Sequence, residues 1–121
     1  MKHEHKGIKR ILSAFKNSFD GFMYAIREEE AFRQDLAICA LLLIISFFVP
    51  VSGAEYLWLI FSLIFILFAE LVNSAIEACI DRISFDKHEL SKAAKDMGSS
   101  LVFLSFVNLI VCWALVCWKF L

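Results

Sequence analysis

Ala69-Glu70-Leu71-Val72-Asn73-Ser74-Ala75-Ile76-Glu77-Ala78-Cys79-Ile80-Asp81 closes a strongly apolar run, yet it carries two glutamates, an asparagine and an aspartate. At about 100° per residue, Asn73, Glu77 and Asp81 lie roughly 60°, 20° and 20° around a helix from Glu70. All four share one narrow face. The other sides hold Leu71, Val72, Ala75, Ile76, Ala78, Cys79 and Ile80, which suit lipid or neighbouring helices. An ionisable group at membrane depth costs roughly 2.5–3.5 kcal/mol on insertion scales, so an acid there is a functional candidate.

The rest of the chain makes membrane depth the right frame. Of 121 residues, 60% are hydrophobic and 13 are Phe. That exceeds the roughly 45–50% apolar share of soluble domains and predicts an all-α integral membrane protein. With one Pro and four Gly there is no linker, and residues 1–121 read as a single domain. A net charge of −1 and no dense Lys/Arg cluster exclude a nucleic-acid partner. Cys39, Cys79, Cys112 and Cys117 sit inside apolar runs without ligand spacing, so they read as packing residues. His3 and His5 lie in a polar tail and predict no metal site. No short apolar segment followed by a small-residue site precedes them, so no cleavable signal is expected.

Ile8, Ile11, Leu12, Phe15, Phe19, Phe22, Met23 and Ile26 recur at helical spacing, with Lys9, Arg10, Lys16 and Asp20 among them. This predicts an amphipathic helix over about residues 7–28, lying in the membrane interface. Packing of that face on protein is the alternative. The first span is apolar from about Leu36 to Val49, before Pro50. That stretch covers only about 21 Å of a ~30 Å core. It must therefore borrow residues to reach about 33–50, with Arg33 snorkelling. Ser52-Gly53-Ala54-Glu55 reads as a tight turn. A second span follows over about 55–80, opened by Tyr56 and Trp58 at the interface. A polar connection runs from Arg82 to Lys95, and a third span covers about 96–118.

Topology follows from Lys and Arg. Lys2, Lys6, Lys9, Arg10, Lys16, Arg27 and Arg33 precede the first span, and the turn after it has none. Arg82, Lys87, Lys92 and Lys95 fall in the second connection, and only Lys119 follows the third span. The positive-inside rule gives a cytoplasmic N-terminus and a C-terminus outside. Glu70 then lies about 20 Å along the second span, two-thirds of the way to the cytoplasmic face, with Glu77 about 10 Å farther on. The acidic face begins in lipid and ends in water, which favours chemistry between a lipid headgroup and a soluble reagent.

Glu70, the deepest acid, is a candidate general base for a lipid hydroxyl. Glu77 and Glu29 are candidate ligands for Mg²⁺, which typically takes one or two carboxylates together with substrate phosphates. Asn73 can hydrogen-bond a glutamate or a phosphate oxygen. Lys95, beside Asp96, is a candidate clamp for developing phosphate charge. The competing reading makes these groups interfacial charges and interhelical hydrogen bonds. Asn108 lies opposite Ser99 on the third span and reads as packing. No phosphate-binding loop, kinase Gly-rich loop or dinucleotide fingerprint is present.

Glu70-Leu-Val-Asn73-Ser-Ala-Ile-Glu77-Ala-Cys-Ile-Asp81-Arg82 resembles the signature of the bacterial integral-membrane diacylglycerol kinases, which include the undecaprenol kinases. Ala31-Phe32-Arg33-Gln34, His88-Glu89-Leu90-Ser91 and Ala94-Lys95-Asp96-Met97-Gly98-Ser99 extend the likeness over nearly the whole chain. The first two of these stretches look more like the Gram-negative diacylglycerol type.

The resemblance implies three membrane helices and a surface helix per subunit, a homotrimer with shared active sites, and an inner-membrane location. It implies MgATP-dependent phosphorylation of diacylglycerol to phosphatidate. Glu70 would be the proton acceptor, with Glu29 and Glu77 the metal-binding pair; Asn73, Lys95 and Asp96 would complete the catalytic set. ATP contacts would fall on Arg10, Asn17, Glu29, Glu77, Asp86, Lys87, His88, Lys95 and Asp96. Lipid contacts would fall on Arg10, Ala14, Phe15, Lys16, Asn17, Ser18 and Phe19 and on Met23, Tyr24, Ala25 and Ile26. Ala31, Phe32, Arg33, Gln34 and Asp35 would follow, with Tyr56, Glu70 and Ser99. Asn17 and Lys87 depart from the pattern, because relatives carry tyrosines near the nucleotide at those positions. An aromatic contact is therefore missing or replaced. Two readings compete with a diacylglycerol kinase: an undecaprenol kinase, and a non-enzymatic subunit of a channel or transporter.

Overall fold

In the computed structural model, residues 6–121 are described; His3, His5 and Lys2 lie outside them. Four α-helices carry the fold: α1 (Ile8–Glu28), α2 (Glu30–Ser46), α3 (Gly53–Ile83) and α4 (Glu89–Cys117). A 3-10 turn over Trp118–Phe120 continues α4, and no strand occurs among the described residues. The fold class is all-α integral membrane, an amphipathic helix followed by three apolar ones.

α1 matches the predicted surface helix within a residue, and its apolar face is unpartnered. Ile8, Ile11, Leu12, Phe15, Phe19 and Phe22 are all exposed. A stripe of this kind beside charged residues suits the plane of a membrane interface. Only Glu29, in extended conformation, separates α1 from α2. Arg33, expected to reach toward the interface, has protein partners for its head group. Its guanidinium donates to the carbonyls of Ile26 (2.8 Å) and Arg27 (2.9 Å), groups left without helical partners at the end of α1.

α2 is 17 residues long, about 25 Å at ~1.5 Å per residue. It stops at Ser46, short of the predicted boundary at Pro50, where Phe47, Phe48 and Val49 close with short-range backbone bonds. Its buried residues Phe32, Asp35, Cys39 and Ser46 lie on one stripe.

Ser52-Glu55 is not a free turn but the start of α3. Glu55 N–H donates to Ser52 Oγ at 3.1 Å, and Ser52 N–H donates to Glu55 Oε1 at 3.0 Å, a reciprocal cap. α3 buries Leu59, Ser62, Leu63, Ile66, Ala69 and Glu70 at helical spacing. Its 31 residues extend about 46 Å, beyond the ~30 Å apolar core of a bilayer. α4 likewise begins well before residue 96, capped by His88 Nδ1, which accepts from Leu90 N–H at 3.1 Å. The expected connection from Arg82 to Lys95 therefore shrinks to residues 84–88, because both helices continue past the apolar region. α3 and α4 each meet the length and hydropathy needed to cross a membrane.

α3 and α4 form the main antiparallel pair, with α2 against α3 and α1 against α2. Trp113 Nε1 donates to Ser62 Oγ at 3.1 Å, which itself donates to the Leu59 carbonyl at 2.7 Å. Trp113 thus reaches inward to α3. Lys119 pairs with Glu55 at 2.7 Å, and Lys95 with Asp81 at 2.8 Å, so the helix pair is tied at both ends. Between them Cys39, Leu63 and Ile66 form a small core with Leu42, Leu43, Leu67, Phe106, Leu109 and Trp113. The cysteines are free, and Cys39 is buried as a packing residue while Cys79 is exposed. Asn108 accepts weakly from Cys112 Sγ at 3.9 Å, in keeping with a packing role.

Candidate active site

The acidic stripe of α3 keeps its single face, but its members meet different neighbours. Glu70 is 5% exposed, and Asp35 of α2 is 8% exposed beside it. The negative charges of Asp35, Glu77 and Glu29 all bear on Glu70. Asp35 Oδ2 has no hydrogen-bond partner among the described residues.

Asn73, half-buried one turn on, meets α4. A Cβ on Gly98 would run into Asn73 Oδ1 and lie 3.3 Å from its Cγ and 3.7 Å from Ile76 Cδ1. Glycine here lets the two helices approach where the stripe faces α4. Asn73 Oδ1 has no hydrogen-bond partner among the described residues.

Asp81 accepts from Lys95 Nζ at 2.8 Å across the helix pair. That hydrogen bond, with further attraction from Asp81 and Glu77, outweighs burial and holds the Lys95 ammonium above its ordinary range. Asp96 turns the other way and pairs with Lys92 at 2.7 Å on an exposed face. Adjacent on the chain, Lys95 and Asp96 therefore have different partners, although both line one cavity at the α3–α4 junction.

Two concave regions flank the stripe. A groove of about 370 Å³ between α1 and α3 is lined by Ser18, Gly21, Phe22, Tyr24, Ala25, Glu29, Leu71, Ser74, Ala75 and Ala78. Apart from Glu29 and the two serines it is apolar, a surface suited to acyl chain or glycerol backbone. Beyond Asp81, a cavity of about 610 Å³ at the α3–α4 junction is lined by Ser84, Phe85, Asp86, Lys87, His88, Lys92, Lys95 and Asp96, among others. Asp86, Lys87, His88, Lys95 and Asp96, all expected to contact ATP, thus border one space.

Other expected contacts do not join them. Arg10, Ala14, Phe15 and Ser18 border a separate shallow groove on α1. Asn17 and Phe19 are exposed, and Lys16 pairs with Asp20 at 2.9 Å. Ser18, Tyr24 and Ala25 do line the α1–α3 groove, with Met23 and Ile26 half-buried on the same helix. Phe32 is fully buried, Ala31 is exposed, and Gln34 donates to Glu30 at 3.5 Å. Tyr56 sits against Phe47, ring centroids 6.0 Å apart, at the opposite end of α3 from Glu77. It is roughly 21 Å along the helix from Glu70. Ser99 is exposed beside Gly98.

Glu29 and Glu77 are both half-buried, and both carboxylates act on Glu70. Among the described residues no three His, Cys, Asp or Glu groups converge tightly enough to hold a metal alone. Two hard oxygen donors with an incomplete shell fit Mg²⁺ that arrives with phosphates, and not a closed structural metal site.

The burial of Asp35, expected only as a lipid contact, and the settings of Gly98 and Phe85 went unread in the sequence. Asp35 follows Phe32 by three residues and precedes Cys39 by four, a phase that marks the buried face of α2. Gly98 is an isolated glycine in an apolar helical run, a sign of close backbone approach. Phe85 gave no pattern at all, yet it borders the charged cavity while 85% exposed.

An acidic helix face with an apolar groove on its flank and a charged cavity beyond its end suits a membrane enzyme that joins a lipid to a soluble reagent. The family model for prokaryotic diacylglycerol kinase matches residues 16–117. The diacylglycerol kinase of Pseudomonas aeruginosa is 44% identical over 110 residues, covering 91% of this chain and 89% of that protein. The diacylglycerol kinase of Escherichia coli K12 is 36% identical over 119 residues, covering 98% of each. That of Haemophilus influenzae is 34% identical over 107 residues, covering 88% of this chain and 91% of its own. The chain belongs to the prokaryotic diacylglycerol kinase family. It is accordingly an ATP-using lipid kinase of the membrane, and the non-enzymatic reading falls.

Proposed function

We propose that the chain transfers the γ-phosphate of ATP to the free hydroxyl of diacylglycerol, forming phosphatidate, with Glu70 as the base. The observation that carries this reading is the position of Glu70. It is a buried carboxyl on the helix face that runs to the Lys95 cavity, on a helix whose flank forms the apolar groove. Glu70 takes the hydroxyl proton as the lipid oxygen bonds to the γ-phosphorus and the bond to the β-phosphate oxygen breaks, releasing ADP.

Glu29 and Glu77 hold Mg²⁺ together with the nucleotide. Bound there, the ion offsets charge on the phosphates. Asn73 orients a phosphate oxygen or the Glu70 carboxyl, and Lys95 stabilises charge that develops on transfer. Asp86, Lys87, His88 and Asp96 hold ATP in the cavity they border, and the α1–α3 groove takes the lipid.

Arg10 and Asn17, also assigned to the nucleotide, lie away from that cavity within the subunit. This supports a homotrimer in which α1 of one copy completes the site of another. The spans run over about 33–50, 55–80 and 96–118 as one membrane domain in the bacterial inner membrane. The N-terminus and the 84–88 connection face the cytoplasm, and the C-terminus lies outside.

Competition between lipids tests the substrate. Purified protein with MgATP and radiolabelled γ-phosphate, given equimolar diacylglycerol and undecaprenol, is expected to label phosphatidate predominantly. Preferential labelling of the polyprenol would replace this reading with an undecaprenol kinase.

A further inference from the structure

We infer that Asp81 is a positioning residue for phosphoryl transfer, acting by holding Lys95 toward the reacting phosphates. The inference rests on the reading of Lys95 as the phosphate clamp.

The Lys95 Nζ–Asp81 Oδ1 bond of 2.8 Å joins the last turns of α3 to the first turns of α4, across the 84–88 loop. Both side chains are partly open, 42% and 39% exposed. A pair this open to solvent contributes little to stability, so fold stability does not account for its placement. Its consequence lies in the lysine. A free Lys side chain samples many rotamers, and its ammonium carries three donors. With one donor spent on Asp81, the chain is fixed and two donors remain for phosphate oxygens.

Direction supports this. Lys92, one turn earlier on α4, pairs within its own helix to Asp96, at 78% and 64% exposure. Lys95 instead crosses to the acidic face of α3 and feels Glu77 as well as Asp81. Asp81 sits four residues beyond Glu77, so it anchors the ammonium at the end of the stripe where the charged cavity opens. Pre-setting a long side chain in this way removes an ordering cost from the bound state.

A double-mutant cycle tests the inference. Asp81→Ala should lower kcat/KM for ATP by about three- to tenfold, the range expected for freeing one immobilised side chain. The KM for lipid should stay unchanged. In a Lys95→Ala background the same substitution should cost nothing further. Asp81→Asn, equal in size but uncharged, guards against misfolding of the alanine variant and should give an intermediate loss. Asp81→Glu should recover part of it. Thermal melts in detergent micelles should leave all Asp81 variants close to the parent.

Equal losses in both backgrounds would make Asp81 independent of Lys95 and overturn the inference. So would silent Asp81 variants beside an impaired Lys95→Ala, a result that leaves the clamp standing. A Lys95→Ala enzyme with parental kcat/KM for ATP would remove the clamp itself and the inference with it.

Discussion

Asp35 of α2 and Glu70 of α3 are both buried, and the charge of Asp35 bears on Glu70 where the acidic stripe goes deepest. Glu70 therefore does not stand alone in an apolar wall: a second buried carboxyl shares its region. Asparagine at position 35 would instead donate permanently to Glu70, occupying a lone pair needed for the lipid proton. Asp35→Asn should lower kcat by roughly one to two orders of magnitude, a part of the 10²–10⁴ that general-base catalysis contributes. KM for ATP should stay unchanged. Steady-state kinetics in mixed micelles check this, and a parental kcat would restrict Asp35 to packing.

Removal of the carboxylate proposed as the base should be more severe. Glu70→Gln keeps the volume and the hydrogen-bonding shape but cannot take a proton. Turnover should fall by about 10²–10⁴ while ATP still binds, because the Lys95 cavity does not include Glu70. Nucleotide binding by equilibrium dialysis, alongside single-turnover transfer, separates the two effects. Loss of ATP binding in this variant would move Glu70 out of the role of base.

Glu29, from the α1–α2 junction, and Glu77, from α3, both bear on Glu70, and neither belongs to a set that could hold an ion unaided. Removing one of two carboxylates should weaken the ion without abolishing nucleotide contact. Glu77→Gln and Glu29→Gln should each shift the Mg²⁺ concentration for half-maximal rate upward by about tenfold or more, the scale of losing one metal contact. Titration of free Mg²⁺ at fixed ATP measures it. An unchanged midpoint for either variant would strike that residue from the ligand pair.

Much of this was legible in the chain, for reasons tied to particular residues. The face shared by Glu70, Asn73, Glu77 and Asp81 is a matter of helical phase, and α3 preserves it. The surface helix could be bounded because Ile8 to Ile26 repeat at its period. Helix ends were harder. Ser52 and Glu55 read as a turn because a reciprocal cap uses the same residue types as a loop. The 82–95 stretch read as a connection because polarity marks where lipid stops, not where a helix stops. Arg33 near a membrane boundary suggested snorkelling, whereas two carbonyls at the end of α1 claim it. Partners across helices, Asp35 with Glu70 and Gly98 with Asn73, depend on packing that no single helix encodes.

The Gly98–Asn73 approach leads to a prediction that separates activity from stability. Alanine at position 98 would drive its Cβ into Asn73 Oδ1, the end of a side chain that can swing aside. Overpacking costs about 1–3 kcal/mol, while Gly to Ala within a helix returns about 0.8–1.0 kcal/mol. Gly98→Ala should therefore cost a net of about 0–2 kcal/mol, at the low end if Asn73 swings aside freely, and lower kcat, because Asn73 must leave its place on the stripe. The double variant Gly98→Ala with Asn73→Ala should match Asn73→Ala alone. A parental kcat in Gly98→Ala would show that the position of Asn73 does not matter to transfer.

Phe85 offers the last test, because it bears on the departures at Asn17 and Lys87. Its ring is 85% exposed and borders the cavity that holds Asp86, Lys87, His88 and Lys95. An exposed ring beside lysines is the larger of two aromatic surfaces bordering that cavity, the other being the His88 imidazole, and a purine base has a π-face to match it. Stacking of a base on an aromatic side chain is worth about 1–3 kcal/mol by alanine substitution. Phe85→Ala should thus raise KM for ATP by roughly five- to a hundredfold, while Phe85→Tyr stays near the parent. The readout must separate a nucleotide contact from a membrane anchor, since a ring at this depth could also rest on lipid headgroups. ATP and GTP should be affected alike if the ring meets only the π-face, and KM for diacylglycerol should not move. A raised KM for lipid with ATP affinity intact would place Phe85 in the interface and leave the nucleotide without an aromatic wall from this subunit.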